Sequence, residues 1–219
     1  MKHTKISNSV IRRLPRYLRK LDELTEKGIT RISSFKLGEL LGLTPSQIRQ
    51  DFSCFGEFGQ QGYGYNVTSL RAQISNILGM HRGLNAILLG CGKIGKALLC
   101  NFDFSACGIT VKCAFDIDPG LIGSVFNGVE VWSQDELAPY LNENQIDLAV
   151  LCVPQKVAKS VADILIENGI DAIWNFTNTD IVKPYSPVLV ENVHFSDSLL
   201  FLSYQVSNEK DEKVINLQQ

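Results

Sequence analysis

The stretch that most constrains this 219-residue chain is AILLGCGKIGKALLCNF, residues 86–102, where a buried-strand run breaks on three glycines and reopens as a helix. The spacing Gly90-x-Gly92-x-x-Gly95 is weak evidence alone, but at a strand-to-helix turn each glycine has a physical role. The first permits the tight turn, the second lets a pyrophosphate approach the backbone, and the third lets helix pack on strand. The helix that follows offers N–H donors and the positive end of its dipole to phosphate. A second apolar strand, ITVKCAF, ends in Asp116, 21 residues beyond Gly95. A carboxylate there accepts from a ribose 2′-hydroxyl and repels a 2′-phosphate, which favours NAD(H) over NADP(H). Gly90, Cys91, Gly92, Lys93, Ile94, Gly95 and Asp116 are therefore the expected cofactor-binding residues.

The alternation continues. Val125 to Trp132 reads as a hairpin turning on Asn127-Gly128, DELAPYL as a short helix, IDLAVLCV as a buried strand ended by Pro154, and residues 156–168 as a helix. The segments DAIWNF and VLVENV supply two more strands. This order predicts an α/β unit with a doubly wound parallel sheet of Rossmann type. Ligands bind beyond the carboxyl ends of such strands, which places Val153, Pro154, Asn175 and Phe176 near the nicotinamide half, with simple loop packing as the alternative. The run SDSLLFLSYQV, residues 196–206, predicts a helix apolar around most of its circumference, which needs a covering partner such as a second subunit. The tail NEKDEKVINLQQ reads as mobile.

Ahead of this half the periodicity differs. Leu14, Tyr17, Leu18, Leu21 and Leu24 recur at helical spacing over residues 15–27, before Gly28. A second helix starts at Ser33 or Ser34, turns Leu37, Leu40 and Leu41 inward and stops at Gly42; a third, capped by Thr44 with Pro45 in its first turn, runs to residue 55. Two short helices joined by a tight glycine turn make a helix-turn-helix, whose second member enters the major groove. Ser46, Gln47, Arg49 and Gln50 lie off its apolar face, where base readers belong, although each also fits an ordinary solvated face. Asp51 is expected to make an internal contact. The following GEFGQQGYGYNV reads as a glycine-tipped hairpin, the wing, whose Gln60, Gln61 and Tyr63 suit a phosphate backbone or a loop packed on its own unit. Arg16, in the basic N-terminal run, joins the expected DNA contacts. Thr68 is the expected cap of a further helix, and MHRGLN, residues 80–85, the domain boundary.

Charge separates the same two halves. Residues 1–83 hold 13 Lys and Arg against 6 Asp and Glu, a balance of +7, whereas the remainder holds 8 against 17, or −9. A basic front half suits a polyanion. No apolar run reaches bilayer-spanning length, and the N-terminus lacks the apolar core of a signal peptide, so a cytoplasmic protein is expected. The six cysteines form no C-x-x-C pair and no metal-ligand spacing, and read as small buried residues in a reducing compartment. Cys91, between two loop glycines, reads as filler before thiol sensor.

Together, RYLRKL, SSFKLGELLG, QIRQDFSCFGEFGQQGYGYNV and GCGKIG resemble the Rex family of redox-sensing transcriptional repressors over about residues 7–206. The resemblance implies a homodimer with an N-terminal winged helix, residues 1–83, a Rossmann domain, residues 84–195, and a C-terminal helix exchanged between subunits within residues 196–219. It implies operator reading by Arg49 and its helix, NADH or NAD⁺ held by Gly90–Gly95 and Asp116, and repression relieved by NADH. Departures from the family pattern are Gln50 and Gln61 where basic residues are usual, Asn178 for a proline after the Asn-Phe pair, and His194 for an aspartate tied to the ligand switch. His194 reads either as a polar switch partner or as a structural histidine.

An NAD-dependent oxidoreductase is the rival, because Rossmann sites usually serve chemistry. The chain lacks a Tyr-x-x-x-Lys pair, places only His194 in the back half, and leaves no length for a substrate domain. A winged helix serving protein contacts, with a structural nucleotide, is the third reading.

Overall fold

The computed structural model describes residues 6–55, 63–181 and 188–216, with side chains described up to 208. The chain divides into two compact units, Met1–Arg82 and Gly83–Gln219.

The first unit begins with α1 (Asn8–Ile11) and α2 (Leu14–Glu26), whose Leu14, Tyr17, Leu18, Leu21 and Leu24 are buried. Gly28, at φ +69°, ends the α2 turn in a left-handed conformation that glycine adopts without strain. Ser33 proves to be the cap of α3 (Ser34–Leu41), accepting from the Lys36 N–H, and Thr44 caps α4 (Pro45–Ser53) by accepting from the Gln47 N–H. Helix α4 thus ends two residues short of the expected 55. Leu37 is buried, but Leu40 is 41% exposed and not inward as expected, because an eight-residue helix can turn only one narrow stripe toward the core. Strand β2 (Tyr65–Asn66) pairs antiparallel with β1 (Arg31–Ile32), ahead of the helix-turn-helix, while residues 56–62, with Gln60 and Gln61, lie outside the described residues. Asn66, not Thr68, caps α5 (Val67–Ile77), its side chain accepting from the Ser69 N–H at 2.8 Å. Both residue types cap; Asn66 wins because it is the residue still in extended conformation as β2 ends.

The second unit is a seven-stranded sheet. Its parallel strands are β3 (Leu84–Leu89), β4 (Ile109–Asp116), β6 (Val129–Ser133), β7 (Leu148–Leu151), β8 (Ala172–Asn175) and β9 (Leu189–Asn192). Strand β5 (Val125–Phe126) adds an antiparallel edge through the Asn127-Gly128 turn, where φ is +48° and +81°. The spatial order β5-β6-β4-β3-β7-β8-β9 reverses direction between β3 and β7. That switch point is where a doubly wound sheet opens a crevice at its carboxyl ends. Helix α6 (Lys93–Asn101) follows β3, and α7 (Leu137–Glu143) and α8 (Gln155–Glu167) precede and follow β7. Leu99 of α6 packs in one cluster with Leu88, Ala114 and Val150, while Leu137, Leu141, Ala158, Val161 and Leu165 pack in another with Ile87, Phe115 and Leu151. Adjacent residues of one strand thus serve opposite faces.

Helix α9 (Phe195–Asn216) runs well past residue 206, so the expected mobile tail is helical through Asn216. Acidic and basic residues from 209 on are good helix formers and lengthen the element beyond its apolar part. The cysteines also depart in part from expectation: Cys91 and Cys113 are buried and Cys152 half-buried, but Cys54, Cys100 and Cys107 are exposed; all are free thiols.

Candidate nucleic-acid interface and nucleotide cradle

Helix α4 owes its position to three inward residues, Ile48, Asp51 and Phe52, all at most 2% exposed. Phe52 packs edge-on to Tyr17 and Tyr65 at centroid separations of 4.9 and 5.1 Å. Asp51 accepts from Arg13 Nε and a terminal guanidinium nitrogen, 2.7 Å each, from the Tyr17 hydroxyl at 2.7 Å and from Gln47 Nε2 at 2.8 Å. Burial alone would raise this carboxyl, but those hydrogen bonds outweigh it and hold Asp51 below its ordinary 3.8. The hydroxyl of Tyr17 is pushed up, first by burial and then by Asp51.

Of the expected base readers, Ser46, Arg49 and Gln50 are exposed on α4 and Gln47 is half-buried with its amide turned to Asp51. Arg49 reaches Ser34 Oγ at 3.2 Å, at the start of α3. Arg16 donates to the Leu41 carbonyl at 2.9 Å, closing the C-terminal end of α3. Tyr63 is 69% exposed, and the Arg31 guanidinium lies 5.8 Å from its ring centroid while donating to its carbonyl at 3.4 Å. Arg31 and Arg13 were not singled out from sequence. The first is brought to the wing by strand pairing across more than thirty positions, and the second by the fold of α2 on α4, neither of which has a local signal.

The nucleotide loop is shaped by backbone crowding. A Cβ on Gly90 would stand 2.7 Å from the Cys152 carbonyl carbon, and one on Gly95 2.0 Å from the Gly90 carbonyl oxygen. At Gly92 a Cβ would meet nothing within 4 Å. Two glycines are therefore required by the protein itself, and the third leaves open space in front of the α6 N-terminus, where no side chain caps the helix. Asp116 faces this loop, accepting from the Cys91 N–H at 2.5 Å and the Asp118 N–H at 2.9 Å. The donor set, an uncapped helix end, an open glycine and a carboxylate, fits a dinucleotide. Burial, then Asp116, pushes the Cys91 thiol up to about 12, so it stays protonated at neutral pH and behaves as filler.

Around the crevice, Val153 is 8% exposed and Pro154 exposed, at the end of β7. Asn175 is 1% exposed and fully engaged: its amide donates to the Thr179 carbonyl and Asn192 Oδ1, and its Oδ1 accepts from the Thr177 N–H and hydroxyl. It ties the β8 turn to β9. Phe176, 8% exposed, lies 4.5 Å from the Trp174 ring and 6.2 Å from Phe195, the first residue of α9. His194 stands just before that helix, Nε2 2.9 Å from Asp180 Oδ1 and Nδ1 3.4 Å from Asn178 Oδ1. Asn178 has φ +56°, a region asparagine tolerates and proline cannot enter. Along α9, Phe195, Leu199, Leu200, Phe201, Leu202, Tyr204 and Val206 are 46–67% exposed. Among the described residues no cluster could hold a metal ion, and no helix is long and apolar enough to cross a membrane.

Comparison with known proteins separates the readings. Residues 5–53 match a family model described as a putative DNA-binding protein N-terminus, and residues 81–179 one described as a CoA binding domain. The redox-sensing transcriptional repressor Rex of Clostridium beijerinckii is 50% identical over 95% of this chain and 99% of its own length. Rex of Clostridium botulinum strain Hall is 52% identical over 92% of this chain and 96% of its own. The chain belongs to the Rex family of redox-sensing transcriptional repressors. Solved Rex structures agree: RSP, a Rex-family repressor, in complex with β-NAD⁺ and operator DNA superposes with a TM-score of 0.87 at 44% identity, covering 97% of this chain and 98% of RSP. RSP in complex with β-NADH gives 0.88 at 42% identity, covering 97% and 99%. Relatives of this closeness are named as repressors, which sets aside the oxidoreductase reading.

Proposed function

We propose that this Rex protein acts in the cytoplasm as a homodimer that binds a palindromic operator through its winged helices and lets go when NADH occupies the second unit. The observation that carries the reading is the cradle, open at Gly92 and crowded at Gly90 and Gly95, in the same chain as a helix-turn-helix. Gly90 to Gly95 and the α6 N-terminus would hold the pyrophosphate, Asp116 the adenosine ribose, and the strand ends carrying Val153, Pro154, Asn175 and Phe176 would border the nicotinamide half. NADH supplies no chemistry; its binding energy shifts a population. Ser46, Arg49 and Gln50 face the bases, while Arg31 and Tyr63 face the wing's groove or phosphates.

A second copy covers the exposed face of α9, which a monomer would leave as an apolar surface in water, and two-fold symmetry then matches two half-sites. His194, where the resemblance implies an aspartate, pairs with Asp180 and would supply a polar contact just before α9. Linkage requires operator DNA to weaken NADH binding by the factor by which NADH weakens operator binding. Titrating NADH with and without operator tests this, and equal affinities overturn it. Asp116→Ala is expected to reduce the preference for NADH over NADPH; an unchanged preference removes Asp116 from the ribose. A protein sedimenting as a monomer at micromolar concentration would exclude the role given to α9.

A further inference from the structure

We infer that Asp51 positions the recognition helix on operator DNA, and that Gln47 serves this carboxylate and reads no base. A carboxylate in a helix that enters the major groove repels phosphate, so its place in α4 calls for a reason. The surroundings of Asp51 supply one. It is fully buried and takes four hydrogen bonds from three residues, Arg13 at the start of α2, Tyr17 one turn further on, and Gln47 of α4 itself.

Helix α4 is nine residues long and has only Ile48 and Phe52 as buried apolar anchors. Apolar contacts are non-directional and leave a short helix free to roll about its axis. The Arg13 fork is directional: two parallel bonds of 2.7 Å to one carboxylate fix both the distance and the plane in which Asp51 can lie. With Ile48 and Phe52 beside it, Asp51 makes the third point that fixes roll and pitch. Arg49 and Gln50, two and one positions before it, inherit that orientation, and bidentate base reading tolerates little misplacement. Gln47 stands among the expected readers by sequence, but its amide is bonded at 2.8 Å to Asp51, which needs it as a donor against burial.

This rests on the DNA-binding reading of the first unit, and the test separates the two. Full-length protein is titrated, at one fixed salt concentration, against the duplex that the wild type selects from a random pool and against a scrambled duplex. Wild type showing no preference would break the DNA-binding reading itself. Given that preference, Asp51→Asn is expected to weaken operator binding about tenfold or more while binding to scrambled DNA stays constant or strengthens, because a negative charge has gone. Strengthening on both duplexes alike would mean that Asp51 acts only as a charge, and would overturn the proposal.

Should Asp51→Asn unfold the first unit, Tyr17→Phe removes one donor and keeps the ring against Phe52. Its expected effect is a loss of about threefold on operator alone, and no loss on operator overturns the proposal. Gln47→Ala is then measured on operators carrying each single base substitution. A uniform loss supports the role given to Gln47; relaxed specificity confined to one base pair makes it a reader and refutes that role.

Discussion

The two units build their functional elements from opposite materials. In the first, the recognition helix is fixed by side chains converging on one point: Arg13, Tyr17 and Gln47 all donate to Asp51. In the second, the nucleotide cradle is fixed by side chains that are missing, since Gly90 and Gly95 let backbone approach backbone more closely than any Cβ permits. A side-chain network can be weakened one donor at a time, so it degrades by steps. Backbone crowding has no intermediate, because the smallest possible addition is a methyl group. The Rex fold thus couples an adjustable reader to a cradle that tolerates almost no change in two of its three glycines.

Substitutions in the loop test the unyielding side first. Gly95→Ala puts a Cβ 2.0 Å from the Gly90 carbonyl oxygen, so loop and helix must separate. A stability loss of about 3 kcal/mol or more is expected, with loss of NADH binding. Urea unfolding followed by Trp132 and Trp174, both in the second unit, measures it. A mild effect would mean that the loop is as adjustable as the reader. Gly92→Ala, with φ −67° and nothing near its Cβ, is expected to leave unfolding unchanged within about 0.5 kcal/mol. NADH affinity should nonetheless fall, by about tenfold, because the methyl occupies the ligand's approach. Undiminished affinity in a fluorescence titration would place the pyrophosphate elsewhere.

On the adjustable side the steps are smaller. Thr44→Ala removes the oxygen that accepts from the Gln47 N–H and is expected to cost about 1 kcal/mol. Thermal unfolding followed by circular dichroism checks it, and operator binding should weaken only modestly because Asp51 still orients the helix. Acid provides the finest probe. Asp51 is held below its unfolded value near 3.8, so its contribution is complete above about pH 4 and is lost as pH falls through the lower folded value. Between pH 5 and 8 it adds no slope. Asp51→Asn should flatten the acid limb of a stability profile in the first unit; an unaltered limb would mean that the carboxylate is not held by its donors.

Much of this was legible in the chain because local rules dominate where elements start and stop. The Thr44 cap, Pro45, the strand-loop-helix around Gly90 and the Asn127-Gly128 turn each reflect a backbone requirement that a particular residue type satisfies within a few positions. Errors arose where two local rules competed or where a distant segment decided. Thr68 is a good cap, yet Asn66 lies where the strand ends. Leu40 has the period of a core residue, yet α3 is too short to bury it. The pairing of β2 with β1, which precedes the helix-turn-helix, has no signal in a hairpin period that points to neighbours in sequence.

Sequence by itself determined the class of each unit, the strand-loop-helix around Gly90, and the chain's place among the Rex repressors, because glycine spacing, capping and hydrophobic period are written in adjacent residues. Tertiary structure alone decided the partners of the polar side chains: Gln47 bonds to Asp51, the exposed Arg16 to the Leu41 carbonyl, and Asn175 to the β8–β9 turn. A side chain's partners depend on which distant backbone the fold delivers to within about 3 Å, and no local pattern encodes that delivery.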